Sequence, residues 1–243
     1  MQIFIISWAG QHPNAIHIAN QIDKFWNEIS IVYSDPDPDF TFPSKLKVLK
    51  RPNHLYWEDK FKSCLDNCTD DSMLIIHADC TCDNWENLIE KCLEANSSSL
   101  NIGVWAPQIK GSQYNLKTTG MGVINNTNLQ LSCLTDGIVF SLSNTVMHRM
   151  RKLDYGENIY GWGLDRLFCV TAHLMGNLVV IDTSVLVNHS NIRGYDSQAA
   201  IEGMGKLLSK LNHNEIITFK LIDAYIRLNR LKNQSIAKLA TTK

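Results

Sequence analysis

The chain is poor in charge. Asp, Glu, Lys and Arg make up 19% of its 243 residues, on the low side for a soluble domain. The net charge is only −1 and the pI about 6.7. No global basic field exists to hold a phosphate backbone, so nucleic acid is excluded as a partner. No apolar run approaches the roughly 20 residues of a membrane span. The first residues, MQIFIISWAG, lack a basic n-region and a small-residue cleavage site. They read as a first core strand, not a signal peptide, so a cytoplasmic chain is expected. Repeats and low-complexity tracts are absent. The seven cysteines (Cys64, Cys68, Cys80, Cys82, Cys92, Cys133 and Cys169) are odd in number. Without an export signal they read as reduced, mostly buried thiols. Cys80-Thr-Cys82 is tighter than the C-x₂₋₄-C pair of a structural zinc site.

What is present is a core. A hydrophobic content of 44% suffices for one sizeable core, or a core plus a small subdomain. Apolar runs predict strands at 2–7, 30–34, 46–49, 73–76, 103–106, 137–141, 178–181 and 184–187. Helical spacing predicts helices at 14–27, 56–67, 84–95, 144–153, 164–175 and from 216 onward. Alternation of this kind argues for an α/β fold with a mainly parallel, Rossmann-like sheet between helices. The stretch 111–128 is polar and glycine-containing, with weak strands at best. The C-terminal helix carries Lys220, Arg227, Arg230, Lys232, Lys238 and Lys243 against one acid, Asp223. It reads as a packed helix with a solvated basic face, or as an amphipathic helix drawn to anionic lipid.

Four segments carry chemistry. The run MLIIHADCT (73–81) is a buried strand ending in a polar tip. It sets His77 and Asp79 one residue apart at the carboxyl end of a strand, the edge where open α/β sheets bind ligands. A divalent cation bridging a diphosphate needs few protein ligands, because the phosphates supply oxygens. The structural alternative makes His77 a half-buried strand residue and Asp79 a cap for the turn before the helix at Asn84. The second segment, YGENIYGWGLDRLF (155–168), places Asp165 at the start of an apolar helix behind a Gly-Trp-Gly loop. A carboxylate there can take a proton from a bound hydroxyl, or simply complement the helix dipole. The third, VLVNH (185–189), again ends a strand, at His189. The fourth, IVYSD (31–35), ends at Asp35, where a carboxylate can accept hydrogen bonds from a ribose or a base. Lys60 on the following helix can face a diphosphate.

Taken in order from about Met1 to Tyr195, the pieces IFIISWAG, IVYSD, YWEDKFKSCLD, LIIHADC, LTDGIVFSLS, YGWGLD and VLVNHS resemble GT-A glycosyltransferases. The resemblance implies a single GT-A domain over 1–215, with a nucleotide-sugar half (1–106) and an acceptor and catalytic half (107–195), then a basic amphipathic helix at 216–243. It implies that Asp79 is the last carboxylate of a "DxD" motif and holds Mn²⁺ or Mg²⁺ together with His189, with His77 standing where the first acid would be. Ser7, Trp8, Asp35, Lys60, His77 and Asp79 would bind the donor, most commonly a UDP sugar. Asp165 would be the base of an inverting transfer, and Asp136 and Trp162 would contact a glycan or lipid-linked acceptor, as in polysaccharide biosynthesis with peripheral contact at the inner face of a membrane. Two other functions are compatible with the same residues: a metal-dependent hydrolase on His77, Asp79 and His189, and a non-catalytic binding protein of this fold.

Overall fold

The computed structural model describes residues 1–190 and 195–241, with side chains of the last helix through residue 234. The elements run β1 (Gln2–Trp8), α1 (His12–Ile22), β2 (Ile29–Ser34), β3 (Val48–Lys50), α2 (Trp57–Asn67), β4 (Ser72–His77), β5 (Cys80–Cys82) and α3 (Trp85–Ser97). Then follow β6 (Ile102–Lys110), α4 (Leu116–Thr119), β7 (Gly120–Val123), β8 (Leu129–Ser132), β9 (Val139–Ser143) and α5 (Asn144–Arg151). The chain continues through α6 (Leu164–Leu174), β10 (Leu178–His189), α7 (Ser197–Leu208) and α8 (His213–Thr241).

One sheet has the order β3-β2-β1-β4-β9-β6-β10-β8-β7, with β5 attached to β10. Strands β3, β2, β1 and β4 are parallel. Strand β9 enters antiparallel between β4 and β6, and β6 with β10 is parallel again. Both faces of the sheet are covered, which is why β1 and β4 carry unbroken apolar runs, Ile3–Ile6 and Met73–Ile76, rather than alternating. Phe4, Ile6, Met73 and Ile75 point to the core under α2, α5, α6 and α8. Their neighbours Ile3, Ile5, Leu74 and Ile76 point to the core under α1 and α3. Each of these fully buried Ile, Leu and Phe side chains contributes roughly 1.5–3 kcal/mol.

The strand β10 decides the site. The final strand region expected over 178–181 and 184–187 is one strand, bulged between Asp182 and Leu186. The bulge absorbs the polar Asp182-Thr-Ser184 step, where Ser184 N–H and Oγ–H both bond to Asp182 Oδ1. Helix α1 starts at His12 and stops at Ile22, short of Asn27; beyond its end Phe25 and Trp26 N–H both bond to Ile22 C=O. The stretch 111–128 contains the short α4 and the edge strand β7. Helix α7 has no counterpart in the sequence pattern. In α8, Phe219, Ile222 and Ile226 are buried in the main core. Its start is closed by a reciprocal cap: Glu215 N–H donates to Asn212 Oδ1 and Asn212 N–H donates to Glu215 Oε2. Residues 191–194 of the polar stretch after His189, the side chain of Lys238, and Lys243 lie outside what is described.

Candidate active site

Parallel strands bring the ends of β1, β2 and β4 to one edge, and with them Trp8, Asp35 and His77. Beyond β4 the chain turns into β5, which pairs antiparallel with the end of β10 so that His189 stands opposite Cys80. That pairing joins Asp79 to a residue remote in sequence. His189 Nε2 lies 3.1 Å from Asp79 Oδ2, and Ser190 Oγ–H donates to the same oxygen at 3.2 Å. Ligand atoms of His77, Asp79 and His189 lie within 4.8 Å of one another. Burial would raise the Asp79 carboxyl, but the hydrogen bond from His189 and the charges around it hold it below the usual range. The cap of the following helix is Asn84, accepting from Asn87 N–H.

Asp79 Oδ1 is buried with no hydrogen-bond partner among the described residues. A buried carboxylate oxygen left so is costly unless something satisfies it. Carboxylate and imidazole donors at this spacing fit a divalent metal such as Mn²⁺ or Mg²⁺.

His77 is half-buried, and burial drives its ring down to about 4, so it is neutral. Trp57 Nε1–H donates to its Nε2, and Trp8 meets it edge-on with centroids 6.1 Å apart. Lys60 is 4% exposed and donates to Tyr56 C=O at 3.1 Å. Burial lowers its ammonium to about 8.

A pair of acids, Asp136 and Asp165, meets at the start of α6. Gly163, with φ +84°, turns the loop into the helix, and Asp165 follows in the first turn. The Asp136-Gly137 turn approaches so closely that a Cβ on Gly137 would lie 3.0 Å from Asp165 Cβ. Burial first, then the Asp136 charge, raise the Asp165 carboxyl to about 6. Asp136 itself accepts from Ser112 Oγ–H. The buried Cys80 thiol feels both Asp79 and Asp136, so the two acidic groups flank one region. Such a carboxylate suits general-base work near neutral pH.

Trp162 Nε1–H donates to Tyr195 Oη at 2.9 Å. Tyr195 stacks on Tyr160 with centroids 5.1 Å apart, and Tyr160 lies 4.6 Å from Tyr56. On the donor side, Ser7 is fully buried and reaches the edge only through His12. Its Oγ is 2.8 Å from His12 Nδ1, and His12 Nε2 is 2.8 Å from Asp35 Oδ2. Since burial alone would raise the Asp35 carboxyl, it is the Asp37 N–H and His12 that hold it low. The sequence pattern singled out neither His12 nor Ser112, Ser190 and Tyr195, and it placed Trp57 only in a core stripe. Each of these acts through a partner distant in the chain, and no local spacing marks such a pairing.

No protein-family model matches the chain, and no curated protein matches it in sequence. Solved structures do. GalNAc-T7, with UDP, GalNAc and Mn²⁺ bound, superposes with a TM-score of 0.63 at 13% identity, over 86% of this chain and 47% of that one. The chain thus spans about half the length of that relative. The mannosyltransferase PcManGT from Pyrobaculum calidifontis, in complex with GDP-Man and Mn²⁺, gives 0.58 at 10% identity, over 99% and 80%. A putative glucose-1-phosphate thymidylyltransferase from Bacillus anthracis gives 0.53 at 11%, over 84% and 95%. At such identities the likeness is one of fold. With its mixed sheet and these neighbours, the chain has the GT-A fold.

Proposed function

We propose that the protein is a glycosyltransferase that moves a sugar from a nucleotide-sugar donor to a hydroxyl of a glycan or lipid-linked acceptor, with inversion. One observation carries this reading. A metal-type group with an unpartnered Asp79 oxygen is linked across Cys80 to Asp136, the acid that helps lift the Asp165 carboxyl to about 6. Residues 1–106 bind the donor, a UDP sugar, and 107–195 supply the acceptor side. Trp8 and the Asp35 carboxylate, oriented by His12 and Ser7, hold base and ribose. Lys60 adds positive charge near the diphosphate. Asp79 and His189 hold Mn²⁺ or Mg²⁺, which supplies charge neutralisation at the leaving diphosphate. Asp165 takes the acceptor proton as its oxygen attacks the anomeric carbon, while Asp136 keeps the base from ionising too early. Trp162 presents an indole for sugar stacking.

The fold also serves nucleotidyl transfer, and the acid pair separates the two. A sugar-phosphate nucleophile is already ionised near neutral pH and needs no base. A sugar hydroxyl does, and Asp136 with Asp165 is what such a base requires. Hydrolysis on His77, Asp79, Asp165 and His189 would release nucleotide and sugar without any acceptor. The test is release of nucleoside diphosphate from a panel of UDP and GDP sugars with Mn²⁺. Release that depends on an added acceptor and is lost in Asp165→Asn supports the reading. Release of pyrophosphate, or equal release without any acceptor, removes it.

The exposed face of α8 supports a cytoplasmic protein held at an anionic membrane surface. Ile217, Leu221 and Leu228 are 42%, 63% and 65% exposed at spacings of one helical face. Lys220, Arg227, Arg230 and Lys232 border them and are exposed, while Asp223 is paired with Arg166. No described helix is long and apolar enough to cross a membrane. Binding to phosphatidylglycerol vesicles but not to phosphatidylcholine vesicles, lost in the double variant Leu221→Gln and Leu228→Gln, is expected. Equal partitioning of variant and wild type would remove α8 from this role.

A further inference from the structure

We propose that His77 is a hydrogen-bond donor to an oxygen of the bound nucleotide rather than a metal ligand, and that Trp57 is the positioning residue that makes it so. An indole N–H only donates. Because Trp57 Nε1–H is directed at His77 Nε2, that nitrogen must be unprotonated, with its lone pair spent. A neutral imidazole carries one proton, so the proton is on Nδ1. Both nitrogens are then closed to a cation: one lone pair faces Trp57, and the other nitrogen bears hydrogen. The opposite tautomer would set two N–H groups head to head.

The ring cannot escape by a shift of its partner. Trp57 stacks on Phe61, with centroids 5.0 Å apart and planes 10° from parallel. Gly161 backs the indole so tightly that a Cβ there would lie 2.5 Å from Trp57 Cε3. Trp8 closes another side of His77. Among the described residues nothing hydrogen-bonds to Nδ1, which leaves Nδ1–H for a ligand.

This assignment rests on the nucleotide-sugar reading and sharpens it. A carboxylate at position 77 would only accept hydrogen bonds, whereas Nδ1–H only donates, so the polarity at this point of the strand tip is reversed. Its natural partner is an oxygen with free lone pairs, as on a diphosphate. A cation would be held by two protein ligands, Asp79 and His189, and would need further oxygens, which a nucleotide can supply. Metal and nucleoside diphosphate therefore bind cooperatively.

Nitrogen-15 NMR of the imidazole on the full chain tests the first half. Nδ1–H is expected for His77 in the wild type, and a shift of the tautomer equilibrium in Trp57→Phe, which keeps the stacking and removes the donor. An Nε2–H ring in the wild type overturns the proposal. Electron paramagnetic resonance of added Mn²⁺, with and without UDP, tests the second. His77→Ala is expected to keep Mn²⁺ affinity in the absence of nucleotide and to weaken UDP binding by about tenfold. Asp79→Asn and His189→Ala are expected to lose the ion. Loss of Mn²⁺ in His77→Ala equal to that in Asp79→Asn overturns the assignment. If neither UDP nor GDP binds at all, the glycosyltransferase reading and the ligand assigned to Nδ1–H both fall, while the NMR result still decides the tautomer.

Discussion

At Asp165, burial and the charge of Asp136 lift the carboxyl to about 6, and two opposite consequences follow. As a base it works only when ionised, so turnover should rise with pH through about 6. Asp165→Asn should lower kcat roughly 10²–10⁴-fold and flatten that profile, with nucleotide binding unchanged in calorimetry. For stability the sign is reversed. A carboxyl whose folded value lies above its unfolded one favours the folded state at low pH and loses that contribution as pH rises through the folded value. At about pH 8 the asparagine variant should therefore melt above the wild type, and near pH 4 the difference should shrink. An inactive variant that is also less stable at about pH 8 would contradict the burial of a charge there. This residue was legible as an acid opening an apolar helix. Its pairing with Asp136, expected only as an acceptor contact, was not, because the two meet through the tertiary approach of Gly137 to α6.

Helices and loops hold these groups in place through contacts that local pattern does not announce. Gly161 has φ +68° and abuts Trp57, so it needs both a left-handed backbone and an absent side chain. Gly161→Ala should cost about 1–3 kcal/mol, seen as a lower denaturation midpoint with an unchanged slope. Helix α8 is anchored by Glu215, which is 2% exposed, caps the helix through Asn212 and accepts from Arg149 Nε at 3.0 Å. Glu215→Ala leaves an arginine and an N-cap without their partner, and a loss of about 3 kcal/mol in a denaturant titration is expected. Helix α7 escaped sequence reading because Gly203 and Gly205 dilute its pattern. Gly203 is there for contact: a Cβ would lie 3.1 Å from Asn158 Oδ1. Helices α2, α3 and α6 were legible since each carries a continuous apolar stripe into a buried face.

For the whole molecule, ligands that bind only the folded state raise its stability by mass action. Mn²⁺ with UDP, at about a hundred times Kd, should add about 2.7 kcal/mol, or roughly 5–10 °C in Tm for a chain of this size. The rise with both together should exceed the sum of the two alone, and a chelator should abolish it. Additive or absent shifts would argue against a shared site at Asp79.

Periodicity and strand ends by themselves determined the α/β class, most element positions and the three polar tips, Asp35, His77-Ala-Asp79 and His189. Burial on both sheet faces writes itself into continuous apolar runs, and a run must end where the chain meets water. Only the tertiary structure decided that β10 is one bulged strand, that its end lies against β5, and that His189 meets Asp79. It also decided which way His77 presents its proton. Those outcomes depend on strand order and on partners far apart in the chain, which the local spacing of residues does not encode.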